Sequence, residues 1–176
     1  MTPTPVPRDA LARLNAAPAA EATETFARCC GSTRWAAHLA RLRPFRDRAQ
    51  LLSRADDAFA ALERDDWLEA FRAHPRIGDR AALRAKFAST RAWAAGEQAG
   101  ALAASDELLD ALARGNHEYE RRFGHIFIVC ATGLGAAEML ARLRARLGNA
   151  PDAELGIAAA EQRRITRLRL EKLFVP

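Results

Sequence analysis

A histidine directly before a proline is the first point in this sequence where reactive chemistry and chain geometry meet. The stretch FRAHPRIGDR, residues 71–80, interrupts a chain dominated by alanine, leucine and arginine at helical spacing. Because Pro75 disfavours helical backbone in the residue before it, we expect the helix through Phe71 to end near Ala73. His74 would then lie at a helix C-terminus, whose negative potential favours a protonated imidazole. Such a side chain can act as an acid, a base or an anion contact near neutral pH, although it could also merely cap the helix.

A second candidate is the stretch GEQAG, residues 96–100. Glu97 and Gln98 lie between small residues, which leave room beside them. A carboxylate next to an amide can bind a ring that carries both N–H and C=O groups. The alternative is an exposed pair on a helix with no ligand.

The third candidate is an arginine in the last predicted helix. The predicted apolar face of this helix comprises Leu155, Ala158, Gln162, Ile165, Leu168, Arg169 and Leu173. Ile165, Arg169 and Leu173 are four residues apart and share one stripe, whereas Arg163 and Arg167 fall on the polar side. We therefore predict that Arg169 points inward. An inward arginine needs a carboxylate from the protein or from a ligand, so a structural salt bridge and a ligand contact are both open.

The other histidines and cysteines give weaker indications. Residues 117–125, HEYERRFGH, contain no HExxH spacing, so we expect no metal site. Cys130 lies in an apolar stretch and is expected to be a core residue rather than a nucleophile. Together with the adjacent Cys29 and Cys30 it makes an odd count, which does not form a disulfide framework and favours a reducing, cytoplasmic setting.

Helices must position these candidates, because helical spacing dominates the chain. We predict helices at residues 8–16, 19–30, 34–42, 46–64, 65–73, 106–123, 136–147 and 153–174. Ser32 or Thr33 is expected to cap the third of these, and Pro151 to open the last. Residues 125–135 are apolar, but with no second strand to pair with we expect them to be extended.

Size and composition predict a single all-α domain over residues 1–176. The chain is 49% hydrophobic and 28% charged, which is typical of globular proteins. No basic start followed by an apolar stretch and no apolar run of about 18 residues occurs in the sequence, so we expect neither a secretory signal nor a membrane span. The net charge is +5, but the arginines are scattered among acidic residues without basic blocks, so we expect no nucleic-acid partner.

Three motifs in this order, AHPRIGD, EQAG, and YERRFGHIFIVCATGLGAAEML continuing to IAAAEQRRITRLRLEKL, resemble the 2-oxo-4-hydroxy-4-carboxy-5-ureidoimidazoline (OHCU) decarboxylase family. The resemblance covers nearly the whole chain and is densest from His74 to Leu173. It implies an all-α, single-domain multi-helix bundle of the OHCU decarboxylase type, commonly a homodimer, without metal or organic cofactor. The implied reaction converts the unstable product of 5-hydroxyisourate hydrolysis to (S)-allantoin and carbon dioxide in purine catabolism.

The resemblance also implies which residues act. The histidine of the family's His-Pro pair matches His74, its glutamate matches Glu97, and its arginine within Leu-Arg-Leu matches Arg169, which makes these three the predicted catalytic residues. A family segment that lines the substrate, partly through main-chain groups, matches residues 127–131. The predicted substrate-binding residues are Pro75, Gln98, Phe127, Ile128, Val129, Cys130 and Ala131.

One position departs from the family pattern. The family has serine three residues before the glutamate, where this chain has Ala94. Either water or a neighbour such as Ser89 or Thr90 replaces the hydroxyl, or the alignment shifts locally. Two other functions therefore stay open: a family member with altered or lost activity, and a basic helical interaction or regulatory domain, which would bind nucleic acid in a salt-dependent manner.

Overall fold

The computed structural model of the protein describes residues 10–74 and 106–174. Over these ranges the chain forms helices and no strand, which confirms the predicted all-α fold class. The helices are α1 (Ala10–Ala16), α2 (Ala19–Cys29), α3 (Thr33–Arg41), α4 (Arg48–Ala60), α5 (Arg64–Arg72), α6 (Asp106–Phe123), α7 (Ala136–Leu147) and α8 (Pro151–Lys172). None of these eight helices is both long enough and apolar enough to span a bilayer.

The chain divides into two compact units, and α8 begins in the second and ends in the first. The first unit comprises residues 1–73 and 160–176, and the second comprises residues 74–159. The expectation of one domain over residues 1–176 stays a prediction.

Aromatic side chains form the centre of the first unit. Phe26 meets the rings of Trp35 and Phe45 edge to face, with centroids 6.1 and 6.3 Å apart. Trp35 is fully buried, and its indole Nε1 donates a hydrogen bond to the carbonyl oxygen of Ala55 at 3.1 Å. These contacts hold α2, α3 and α4 together, and the buried indole N–H has a hydrogen-bond acceptor.

Side-chain caps decide where the helices of the first unit begin. Ser32 caps α3, as predicted, because its hydroxyl accepts a hydrogen bond from the N–H of Trp35 at 3.2 Å. The predicted helix over 46–64 was wrong at both ends, since Asp47 caps the start of α4 and the helix ends at Ala60. Glu63 then forms a capping box that starts α5 at Arg64, one residue before the predicted start.

The second unit is built on the packing of α6 against α7. Its fully buried side chains include Leu112 and Tyr119 on α6 and Leu143 on α7. A Cβ atom at Gly115 would lie 2.5 Å from the Leu143 side chain, so glycine permits the close approach of these helices. Gly124 ends α6 with a φ of +73°, as its position after Phe123 predicted.

The buried stripe of α8 overlaps the predicted apolar face and departs from it toward the C-terminus of the helix. Leu155, Ala158 and Gln162 are buried, as predicted, and the other buried positions are Glu154, Ala159, Thr166 and Leu170. Arg169 is half-buried and lies at the border of this stripe, as do Ile165, Leu168 and Leu173. The apolar pattern left out Thr166 because it is polar; Gln162 Nε2 donates to Thr166 Oγ1 at 3.2 Å, which makes burial of both acceptable.

The exposed side of α8 is tied to α4 through one carboxylate. Arg163 Nε and Arg167 Nη1 donate to the two oxygens of Asp56, at 2.7 and 3.0 Å. The hydrogen bond to Asp56 raises the pKa of Arg163 above its ordinary value. The two arginines predicted on the polar side are therefore surface ion-pair residues.

Replacing Ser32 with alanine should lower the free energy of unfolding by about 1 kcal/mol, because the N–H of Trp35 loses its acceptor in a buried position. Urea unfolding followed by far-ultraviolet circular dichroism measures the change. Ser53→Ala is the control, since Ser53 is exposed within α4 and the same chemical change removes no cap. Equal stability of the two variants would contradict the cap.

Stability should also fall in alkaline solution because of Cys29. Burial raises the pKa of the Cys29 thiol from 9.0 to about 11, and the charge of Arg169 offsets this only in part. Below pH 9 both folded and unfolded states keep the proton, whereas between pH 9 and 11 only the folded state does. Stability should therefore decrease over this window, by up to about 1.4 kcal/mol per pH unit.

The check is the urea midpoint of the wild type and of Cys29→Ala from pH 8 to 10.5 under reducing conditions. The wild-type midpoint should fall more steeply above pH 9 than that of the variant. If the two curves are parallel, burial does not keep the Cys29 thiol protonated in the folded state.

Candidate active site

His74 follows directly after the end of α5. The helix ends at Arg72, and the N–H of the C-cap residue Ala73 donates to the carbonyl oxygen of Phe71, which confirms the predicted helix end near Ala73. His74 is half-buried. It therefore lies just after the last turn of α5. Its protonation state and catalytic role stay predictions.

Gly31 allows the end of α5 to pack closely on the turn between α2 and α3. A Cβ atom at this position would overlap the Cβ of Ala73 and lie 3.6 Å from the Cα of Ala70. Only glycine avoids this overlap without a backbone shift. The backbone that leads into His74 is thus held by packing and not only by its own helix.

Arg169 lies beside the C-terminus of α2. Its Nη1 donates long hydrogen bonds to the carbonyl oxygens of Arg28 at 3.5 Å and Cys29 at 3.4 Å, both in the last turn of that helix. Carbonyl dipoles stabilise a guanidinium but do not neutralise it. No carboxylate within residues 10–74 and 106–174 forms an ion pair with Arg169. Of the two alternatives for this arginine, the described residues do not provide the structural salt bridge.

The segment 125–131 is neither helix nor strand, as predicted for an extended stretch. Phe127, Ile128 and Val129 are buried, with exposures of 3%, 2% and 7%, whereas Cys130 and Ala131 are half-buried. Since the first three side chains are taken up by the interior, the main chain and the two small side chains after them are what this segment can offer a ligand. That pattern fits the predicted use of main-chain groups.

A buried polar network supports this segment, and it was not predicted from the sequence. Glu154 has no exposed surface; it accepts hydrogen bonds from Arg146 Nε at 2.7 Å, from Asn149 Nδ2 at 2.7 Å and from the Tyr119 hydroxyl. Arg146 Nη1 also donates to the carbonyl oxygen of Ile128 at 2.8 Å. Burial and the hydrogen bond to Glu154 raise the pKa of Tyr119, so its hydroxyl stays protonated and acts as a donor.

The position of Glu154 in the sequence could have indicated a buried carboxylate that needs a positive partner. Glu154 lies four residues before Ala158 on the buried stripe of α8, and a carboxylate at such a position needs a positive partner. The partner itself gives no sequence signal, because Arg146 is one of several arginines near the end of α7.

Several positions named in the sequence analysis lie outside the described residues. They are Pro75, Ser89, Thr90, Ala94, Glu97 and Gln98. The roles predicted for Pro75, Glu97 and Gln98, and the effect of alanine in place of the family serine, stay predictions.

Two further features of the described residues bear on the chemistry. Across residues 10–74 and 106–174, no three histidine, cysteine or acidic side chains group closely enough to hold a metal ion. A surface groove of about 570 Å³ in the first unit contains none of the predicted site residues. Its lining residues are Arg34, Trp35, His38, Arg41, Leu42, Arg54, Asp57, Ala58, Ala61 and Leu62.

Curated relatives carry names from urate degradation. The chain is 41% identical over 149 residues to the uric acid degradation bifunctional protein TTL of Arabidopsis thaliana, which covers 83% of this chain and 45% of that protein. It is 41% identical over 59 residues to the 2-oxo-4-hydroxy-4-carboxy-5-ureidoimidazoline decarboxylase of Amia calva, covering 34% of each protein. The matched regions thus span less than half the length of both relatives.

Solved structures and a sequence profile point the same way. A crystal structure of OHCU decarboxylase in the presence of (S)-allantoin is similar with a TM-score of 0.70 and 37% identity, covering 88% of this chain and 99% of that one. A crystal structure of (S)-allantoin synthase shares the fold, with a TM-score of 0.69, 20% identity, and coverage of 93% of this chain and 53% of that one. The profile of the OHCU decarboxylase family matches residues 15–171. The chain therefore belongs to the OHCU decarboxylase family.

Proposed function

We propose that this protein catalyses the decarboxylation of OHCU to (S)-allantoin in urate degradation, as a carboxy-lyase that uses no cofactor. Family membership over residues 15–171 supports the reaction class. The relative solved in the presence of (S)-allantoin supports the product, because it matches along 99% of its own length.

The main support for the proposal is that Arg169 has no carboxylate partner among the described residues. A half-buried guanidinium with no carboxylate partner among the described residues retains its capacity for bidentate hydrogen bonding. A ligand with carbonyl or carboxylate oxygens would complete its coordination. OHCU carries both kinds of oxygen, on its ring, its ureido group and its carboxylate.

The reaction itself requires little beyond positioning and one proton. The bond between the ring carbon and the carboxylate breaks, carbon dioxide leaves, and the electron pair spreads into the adjoining ring. A proton delivered to one face then gives the S product. The ring supplies its own carbonyl and imine-like groups as the electron sink.

Each predicted catalytic residue has a defined part in this proposal. Arg169 and Gln98 hold the ring and the ureido group. Glu97 accepts N–H bonds from the substrate and its negative charge destabilises the carboxylate that leaves. His74 contacts that carboxylate or the hydroxyl group and acts as the general acid.

The setting that we propose is a cytoplasmic homodimer acting on a small molecule, without nucleic-acid or membrane partners. Cys29, Cys30 and Cys130 form no disulfide, which supports a reducing compartment. The scattered arginines, several of them paired with acidic residues, support the absence of a nucleic-acid surface.

The wild-type protein should form (S)-allantoin from fresh OHCU faster than the spontaneous decay, which gives racemic product. Circular dichroism of the product measures rate and stereochemistry together. His74→Gln should lower kcat by roughly 10²- to 10⁴-fold, because the general acid is lost. His38→Gln is the control, since His38 is exposed on α3. A His74→Gln enzyme with full rate and stereochemistry would rule out the assigned role.

Arg169→Gln should lower kcat/KM by roughly 10- to 100-fold, since a charge-assisted hydrogen bond is worth about 1.5–3 kcal/mol. Its free energy of unfolding should change by less than about 1 kcal/mol, because the side chain makes only long bonds to carbonyls. Arg164→Gln removes the same charge from an exposed position of α8 and should leave kcat/KM within about twofold of wild type. A large loss of stability with unchanged kcat/KM would instead identify Arg169 as a structural residue.

A further inference from the structure

The main chain of residues 127–131 needs support from outside itself. A segment that is neither helix nor strand has no regular ladder to satisfy its carbonyl groups or to hold their directions. Burial of Phe127, Ile128 and Val129 holds these side chains, and the Ala131 carbonyl oxygen accepts a hydrogen bond from the Leu134 N–H at 3.1 Å. A main-chain contact to a ligand also depends on the direction of the other peptide groups, so a group that binds the Ile128 carbonyl oxygen helps to set it.

Arg146 meets this requirement at Ile128. Its Nη1 donates to the Ile128 carbonyl oxygen at 2.8 Å, and its guanidinium lies over the Phe127 ring, 4.6 Å from the centroid. One planar group thus holds both a peptide oxygen and the neighbouring side chain. Arg146 is located on α7, which gives the irregular segment a rigid support.

Arg146 is in turn held by a fully buried counter-ion. Glu154 accepts from its Nε at 2.7 Å, and the remaining oxygen of Glu154 accepts from Asn149 Nδ2 at 2.7 Å. The Tyr119 hydroxyl donates to the same carboxylate oxygen as Arg146. These contacts restrict the guanidinium to one orientation.

We propose that Arg146 is a positioning residue that holds residues 127–131 in the conformation that lines the substrate, with Glu154 as its orienting counter-ion. The proposal rests on the proposed function, because that function makes this segment part of the substrate site. Lysine could keep the charge next to Glu154 but not the fork that reaches Ile128 at the same time. Arg146 therefore acts through geometry as well as charge.

The test compares Arg146→Lys with the wild type and with Leu143→Ala. Leu143 is fully buried on the same helix, so its truncation weakens the packing of α7 without removing a hydrogen bond to the segment. All three proteins are assayed at a temperature where circular dichroism shows them fully folded. The readouts are kcat and KM for (S)-allantoin formation, and amide hydrogen exchange of peptides that contain residues 125–131.

Arg146→Lys should lower kcat/KM by roughly 10- to 100-fold, mainly through a higher KM, because misplaced main-chain groups bind the substrate less well. Leu143→Ala should stay within about twofold of the wild type. Exchange in residues 125–131 should be faster in Arg146→Lys than in Leu143→Ala. Equal kcat/KM or equal exchange in the two variants would overturn the positioning role.

A second variant and a second readout allow the proposal to be tested if the first comparison fails. If Arg146→Lys does not fold, Asn149→Ala removes one donor from Glu154 and should show a smaller change in the same direction, whereas no change in KM or in exchange would overturn the proposal. If the wild type does not turn over OHCU, the proposed function fails. The hydrogen-exchange comparison then still decides whether Arg146 holds this segment.

Discussion

Glu154 carries a carboxylate that has no contact with water, and the second unit is organised around satisfying it. Its partners come from separate parts of the chain: Tyr119 on α6, Arg146 on α7 and Asn149 in the turn that follows α7. Removing one partner of such a buried charge typically costs about 3–5 kcal/mol, so α6, α7 and α8 are held in one arrangement. The same guanidinium continues to Ile128, which extends this arrangement to a segment without regular structure.

The other arginines show how differently one residue type is used in this chain. Arg43 donates to the carbonyl oxygens of Leu14 and Ala17, both at 2.7 Å, and so ties down the end of α1. Arg163 and Arg167 share the carboxylate of Asp56 at the surface. Arg169 is half-buried like Arg43 and also donates to two carbonyl oxygens, but at the longer distances of 3.5 and 3.4 Å. Among the described residues, Arg43, Arg163 and Arg167 thus have structural roles.

Local signals made some elements predictable from the sequence. The bounds of α6 and α7 agree with the prediction because Gly124 and Gly148 mark their ends. The end of α5 was predictable because Pro75 acts directly on the residue before it. These signals operate within a few residues, so they need no knowledge of the rest of the fold.

Signals that depend on partners in another helix were not visible. The end of α4 at Ala60 was not predicted, because apolar residues at helical spacing continue to Leu62. Thr166 was left out of the predicted face of α8, because its hydrogen-bond partner Gln162 is seen only in the structure. Arg146 could not be told from its neighbours until Ile128 and Glu154 were seen beside it. The catalytic assignments came from the family resemblance and not from periodicity.

A crystal structure of this protein with (S)-allantoin bound tests the central claim most directly. The account predicts that the ligand lies within hydrogen-bonding distance of the Arg169 guanidinium and the His74 imidazole, and that main-chain groups of residues 127–131 contact it. An ordered ligand elsewhere, with Arg169 bound instead to a carboxylate of the protein, would contradict the account.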